Sequence, residues 1–214
     1  MRGGRSRDWN YCVAVVQDAK TMTINAIVQG LELPEHEIFK TCLKQSLELA
    51  HHPALIPIIL IELKIHHFAV LLERRAQGLE GIEYETGMRH GFSKRNDRNP
   101  SRDDRRRSRE KLDFDLITQK LTGLAGTFSF CDLTFQTGLE ALELVKDLHK
   151  RCSSMIEQGT PDMNSTTQPM PPELERRLKY LKGLIAASQH TSRLLQARTQ
   201  AQVQTVSRPS TMFS

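Results

Sequence analysis

With 214 residues, 38% hydrophobic, 26% charged and only 6% aromatic, the chain can bury a core in one ordinary domain and is leaner in aromatics than a sandwich or barrel. Its net charge of +5 is local: between Lys94 and Lys111 nine Lys or Arg stand against four Asp or Glu, and the remainder carries 21 of each sign. That distribution excludes a basic surface over the whole fold.

Residues 1–10 read as a flexible N-terminus. "YCVAVVQ", Tyr11 to Gln17, and "TMTINAIVQG", Thr21 to Gly30, are rich in β-branched residues around a polar turn, which predicts two short strands. Two strands alone are marginal, so they should belong to a sheet edge or pack on helices. Pro34 then opens an amphipathic helix to about Ala50, acidic in its first turn, with Ile38, Cys42, Leu43, Leu47 and Leu49 expected on one side.

A break at His51 and His52 precedes Pro53, a residue suited to a first helical turn. The helix from Pro53 to about Glu85 is apolar nearly all round at its start and striped later, so its Pro53 end should be the buried one. Its most apolar run, Ala54 to Leu63, is about half the length needed to cross a bilayer, and no membrane span is expected.

The run 94–109 is expected to be a basic, flexible loop. Helical pattern resumes at Glu110, weakens at Gly123 and Gly126, and returns from Leu133 to Ile156 through Phe135, Leu139, Leu142, Val145, Leu148, Cys152 and Ile156. Residues 11–159 thus form a mainly helical soluble domain. A linker at 160–172 leads to a long, stalk-like helix at 173–206, followed by a flexible tail at 207–214. Leu174, Leu178, Leu181, Ile185, Ser188, Ser192, Leu195, Thr199, Gln202 and Val206 line one seam of that helix at 4,3 spacing. The fold class expected is mainly α, with long helices, a two-stranded β element near the N-terminus and a C-terminal stalk-like helix.

Cys12, Cys42, Cys131 and Cys152 lack CxxC spacing, which excludes a zinc ribbon or a dithiol redox motif. Widely spaced thiols without a secretory signal fit a reducing, cytoplasmic setting. His51, His52, His66 and His67 resemble a metal cluster on paper. Yet the two pairs lie about 22 Å apart on a straight helix and so cannot share an ion within one chain. Glu83, Glu85, Asp113 and Asp115 are expected to be surface charges. There is no phosphate loop, no GxSxG and no nucleophile set beside a base, so an enzyme is not expected, nor a cofactor or small-molecule substrate. Arg102, Arg105, Arg106, Arg107 and Arg109 are the candidate polyanion contacts, although no nucleic-acid module surrounds them and Asp97, Asp103 and Asp104 interrupt the run.

"HHPALIPIILIEL", then "LLERRAQGLEGIEYETG", then "ERRLKYLKGLIAASQHTSRLLQARTQAQVQTVS" resemble the cytoplasmic region of divergent, fungal-type CorA-like magnesium transporter proteins. The matching positions are His52, Pro53 and Pro57 in the first helix, and Arg193, Arg198, Gln200, Gln202 and Val206 in the stalk. The resemblance implies a soluble α/β domain feeding a stalk helix, commonly pentameric, with homo-oligomer contacts through the C-terminal helix. The family's two membrane helices and Gly-Met-Asn motif have no counterpart here; Met163-Asn164 follows Asp162 in the linker. The function expected is therefore that of a non-enzymatic helical protein unable to conduct ions alone. The alternatives are a fragment of a membrane magnesium transporter, which would be membrane-located, and an interaction module that binds polyanions through the basic loop.

Overall fold

The computed structural model describes residues 11–18, 23–86, 113–159 and 170–207. In chain order these form β1 (Cys12–Gln17), β2 (Ile24–Gln29), α1 (Leu33–Gln45), a 3-10 turn at Leu47–Leu49, α2 (Leu55–Glu85), α3 (Phe114–Gly159) and α4 (Pro172–Ser207). The mainly helical class, the N-terminal strand pair and the long C-terminal helix agree with the sequence. The residues 1–10, the loop 94–109 with the five candidate arginines, the linker at 160–169 and the tail 208–214 lie outside the described residues.

Two compact units are present, Met1–His66 with Thr137–Leu184 and His67–Gln136 with Ile185–Ser214. Each of α2, α3 and α4 contributes a segment to both.

In the first unit β1 and β2 pair antiparallel, Val13 opposite Val28 and Val15 opposite Ala26. That face of the ribbon is the more covered one, while Cys12, Ala14, Val16 and Ile27 point outward, as the two-residue period of a strand requires. Gly30 leaves β2 with φ of 93°, a left-handed turn natural to glycine. The Glu35 carboxylate then ties the ribbon to α1. It accepts from the Tyr11 hydroxyl at 2.6 Å and from the Glu32 backbone N–H at 2.9 Å. Burial and this carboxylate raise the Tyr11 pKa well above the ordinary phenol value.

The side that α1 buries differs from expectation. Phe39 is its buried anchor, Cys42 and Leu43 are half-covered, and Ile38 and Leu47 are exposed. The helix ends at Gln45 rather than near Ala50, and the tighter 3-10 turn rotates Leu47 away from the Phe39 side.

Ala54 and, within α2, Leu55, Ile58, Ile59, Leu60 and Ile65 are buried in the first unit, with Leu142 and Val145 of α3 and Leu174, Leu178 and Leu181 of α4. The Pro53 end of α2 is indeed the well-buried one. Because the helix continues through Glu62 and Lys64, its apolar stretch is longer than Ala54 to Leu63. An 18-residue window of α2 reaches a mean hydropathy of 1.9, enough to cross a membrane by length and composition, and 39% of that window is buried inside the fold. The core helix of a soluble protein meets the same measure.

In the second unit the interior holds Phe68, Leu72, Leu79 and Ile82 of α2, Ile117, Leu121, Leu124, Phe128, Cys131 and Phe135 of α3, and Ile185 and Leu195 of α4. Phe68 meets Phe130 edge to face, the ring centroids 5.7 Å apart. The helix α3 runs unbroken through Gly123 and Gly126, where a weakening was expected. Both glycines are exposed, and the row Ile117, Leu121, Leu124, Phe128 supplies enough burial to outweigh two glycine propensities of about 1 kcal/mol each.

Candidate functional site

Two polar constellations stand out among the described residues, one in each unit. In the second unit the seam of α4 passes from apolar to polar. Ser188, Ser192, Thr199 and Gln202 are all buried there, as the 4,3 spacing predicts. Such groups need hydrogen bonds once water is excluded. Ser192 Oγ donates to the Phe128 carbonyl of α3 at 2.6 Å, and Thr199 Oγ1 donates to the Leu195 carbonyl within its own helix at 2.7 Å. Gln202 Oε1 is buried with no donor. The Val206 side chain lies outside the description.

At the edge of this seam Arg198 forms a two-pronged pair with Glu83 of α2, Nη2 to Oε2 at 2.6 Å and Nε to Oε1 at 3.2 Å. The Glu83 side chain is only 6% exposed, whereas that of Arg198 is 47% exposed. Glu83 is therefore not the surface charge expected; it is a buried carboxylate held by a planar guanidinium. Arg193 reaches Asp132 of α3 at 3.0 Å, and Gln196 donates to Ser129 Oγ at 2.9 Å. Three of the residues that carry the CorA-like resemblance in α4, Arg193, Arg198 and Gln202, thus lie at helix contacts within this unit, while Gln200 is exposed. Of the other acidic candidates, Glu85 and Asp115 are exposed. Asp113 is exposed too but caps α3, its Oδ1 accepting from the Leu116 N–H at 3.0 Å.

In the first unit His52 is buried and faces His149 of α3. Nε2 of His52 lies 3.1 Å from Nδ1 of His149, and the rings are near-stacked with centroids 5.0 Å apart. The Ala54 backbone N–H donates to His52 Nδ1 at 3.2 Å. An imidazole nitrogen that accepts carries no proton, so the neutral His52 ring bears its proton on Nε2 and donates it to His149. Burial, with His149 and His51 adding to it, pushes the His52 pKa down to about 4. A nitrogen that is donating has no lone pair for a metal, so this geometry describes a hydrogen bond and not a two-histidine metal site.

The other paired histidines separate. His51 is exposed, His66 meets the Tyr180 ring at 6.2 Å, and His67 sits edge-on to Phe68. Among the described residues no group of three or more His, Cys, Asp or Glu is placed to hold a metal ion. Cys131 is fully buried, and burial pushes its thiol pKa up to about 11 against the opposing pull of Arg75. A thiol so placed is a poor nucleophile.

Sequence reasoning missed both long-range pairs. Leu142, Val145 and His149 follow one another at steps of 3 and 4 residues, the spacing of a buried face, and that was the signal available. Leu148, expected on that face, is exposed, and Leu139 is half-covered. The side chains of Cys152 and Ile156 lie outside the description. No protein-family model matches the chain, nor does any curated protein or solved structure.

Proposed function

We propose that this chain is a non-enzymatic helical module, of the kind found in the cytoplasmic region of CorA-like magnesium transporters. It works by helix association and does not conduct ions by itself. The observation that supports the reading is α4, a 36-residue helix whose seam is buried from Leu174 to Gln202 and turns from leucine and isoleucine to hydroxyl and amide side chains. A helix built this way is a supporting rod. Its polar stretch fixes which helices pack beside it more than how tightly they pack.

The seam is consumed by packing inside the chain, so a second copy must meet another side of α4. Leu194, 52% exposed, is the large apolar side chain that α4 exposes in the second unit among the described residues. Sedimentation of the purified chain over a range of concentrations should show self-association, weakened at least tenfold in Leu194→Glu. A chain that stays monomeric at every concentration, or a variant that associates like the parent, would remove this mode of action. Liposomes carrying the chain alone and loaded with a magnesium-sensitive dye should show no influx, and influx would support the transporter alternative.

The apolar window of α2 favours a second reading, a membrane-associated fragment of such a transporter. Alkaline carbonate extraction separates the two: a peripheral or soluble chain is released, whereas an inserted one stays in the pellet.

A further inference from the structure

We propose that the His52–His149 pair is a proton-operated latch that fastens the start of α2 to the C-terminal part of α3 within the first unit and opens in mildly acidic medium.

The latch has only one arrangement of protons. Ala54 N–H fills the lone pair of His52 Nδ1, and the Nε2 proton of His52 fills the lone pair of His149 Nδ1. His149, accepting at Nδ1, carries its own proton on Nε2. A further proton on His52 must go to Nδ1, where it meets the Ala54 N–H head on. A further proton on His149 must go to its Nδ1, where it meets the Nε2–H of His52. Moving the His52 proton to Nδ1 would rescue the second contact only by breaking the first. Every protonated state therefore loses one of the two hydrogen bonds.

The position of the pair gives this chemistry a mechanical outcome. The His52 carbonyl accepts from the Leu55 N–H at 3.1 Å, and its own N–H donates to the Leu49 carbonyl at 2.9 Å. One residue thus joins the end of the 3-10 turn to the first turn of α2, and its ring reaches across to α3. The charged or titratable groups that act on His52 are His149 from α3 and His51 from the same connection, and both disfavour a positive charge on its ring. Along α3 the neighbouring lysines are already matched, Lys146 with Glu143 at 3.0 Å and Lys150 with Asp147 at 3.7 Å.

The direction of the effect follows from linkage. The closed form holds His52 neutral, whereas the open ring titrates near the ordinary histidine value of about 6.5. The latch is fully set above that value and is lost as pH falls from there toward about 4.

The test uses the full chain. In 15N-histidine spectra at pH 7.5 both rings should show the Nε2–H tautomer, and an Nδ1–H tautomer for His52 would overturn the proposal. Amide exchange of Leu55 to Ile58, corrected for intrinsic rates, should lose about tenfold protection between pH 7.5 and pH 5. In His52→Asn the side-chain oxygen replaces Nδ1 as cap but cannot titrate, so protection should be equal at both pH values. If the parent shows no loss, or His52→Asn loses as much as the parent, no latch exists. Should His52→Asn not fold, His149→Asn, which keeps an acceptor in place of Nδ1, must lose less protection than the parent. An equal loss there would also overturn the proposal.

Discussion

The Glu83–Arg198 pair joins a carboxylate that is almost sealed from water to a guanidinium that is half exposed, and this difference predicts unequal costs. Arg198→Met strands a charge in a poorly solvated site and should cost about 2–3 kcal/mol. Glu83→Gln leaves an arginine that water can still reach and should cost about 1 kcal/mol. Urea unfolding of the two variants at neutral pH checks the order, and equal losses would contradict it. The cysteines offer a second contrast. Cys12 is exposed, while Cys131 is buried with a raised pKa. A disulfide reagent at pH 8 should therefore modify Cys12 readily and reach Cys131 only after denaturant is added. Little of this was legible in the chain, because Glu83 and Arg198 are 115 positions apart and His52 and His149 are 97 apart. A residue's neighbours in sequence say nothing about a partner supplied by another helix.

Single elements were far easier to read, because their patterns are local. The 4,3 spacing in α4 placed Leu174 through Gln202 on one face before any packing was known, and each of those positions is buried. In α1 the same reasoning placed Ile38 inward although Phe39 is the anchor. Thirteen residues with apolar side chains on several sides leave the choice of face to whatever packs there. Phe39→Ala should accordingly cost about 3 kcal/mol, and Ile38→Ser should stay within about 0.5 kcal/mol. Gly123 and Gly126 led sequence reasoning to expect a weak point in α3, since propensity is local while the burial that overrides it is not. Beyond the adjoining residues and the helix's own backbone, no heavy atom lies within 4 Å of where a Cβ would stand on either. Gly123→Ala and Gly126→Ala should therefore each stabilise by about 0.5–1 kcal/mol, read as a rise in the urea midpoint.

For the whole chain, the net charge of +5 equals that of the run from Lys94 to Lys111. If that run binds polyanions, deleting it should abolish retention on heparin at low salt, and the retention of the parent should fall steeply as salt is added. Retention that survives the deletion would move the binding surface elsewhere. Fold class could be read from composition and periodicity, since both survive averaging over many residues. The division into two units could not, because it depends on which part of each long helix packs with which part of the others.

The hydroxyl-lined interior of the second unit also bears on how stability varies with temperature. Exposing apolar surface raises the heat capacity of unfolding, and exposing polar surface lowers it. Ser188, Ser192, Thr199, Gln202, Thr86, Thr134 and Glu83 are all buried there. Scanning calorimetry should consequently give a heat-capacity increment below the usual value of about 12–15 cal/mol/K per residue. A smaller increment flattens the stability curve, so cooling and warming away from its maximum would weaken this protein less than a leucine-filled bundle of the same size.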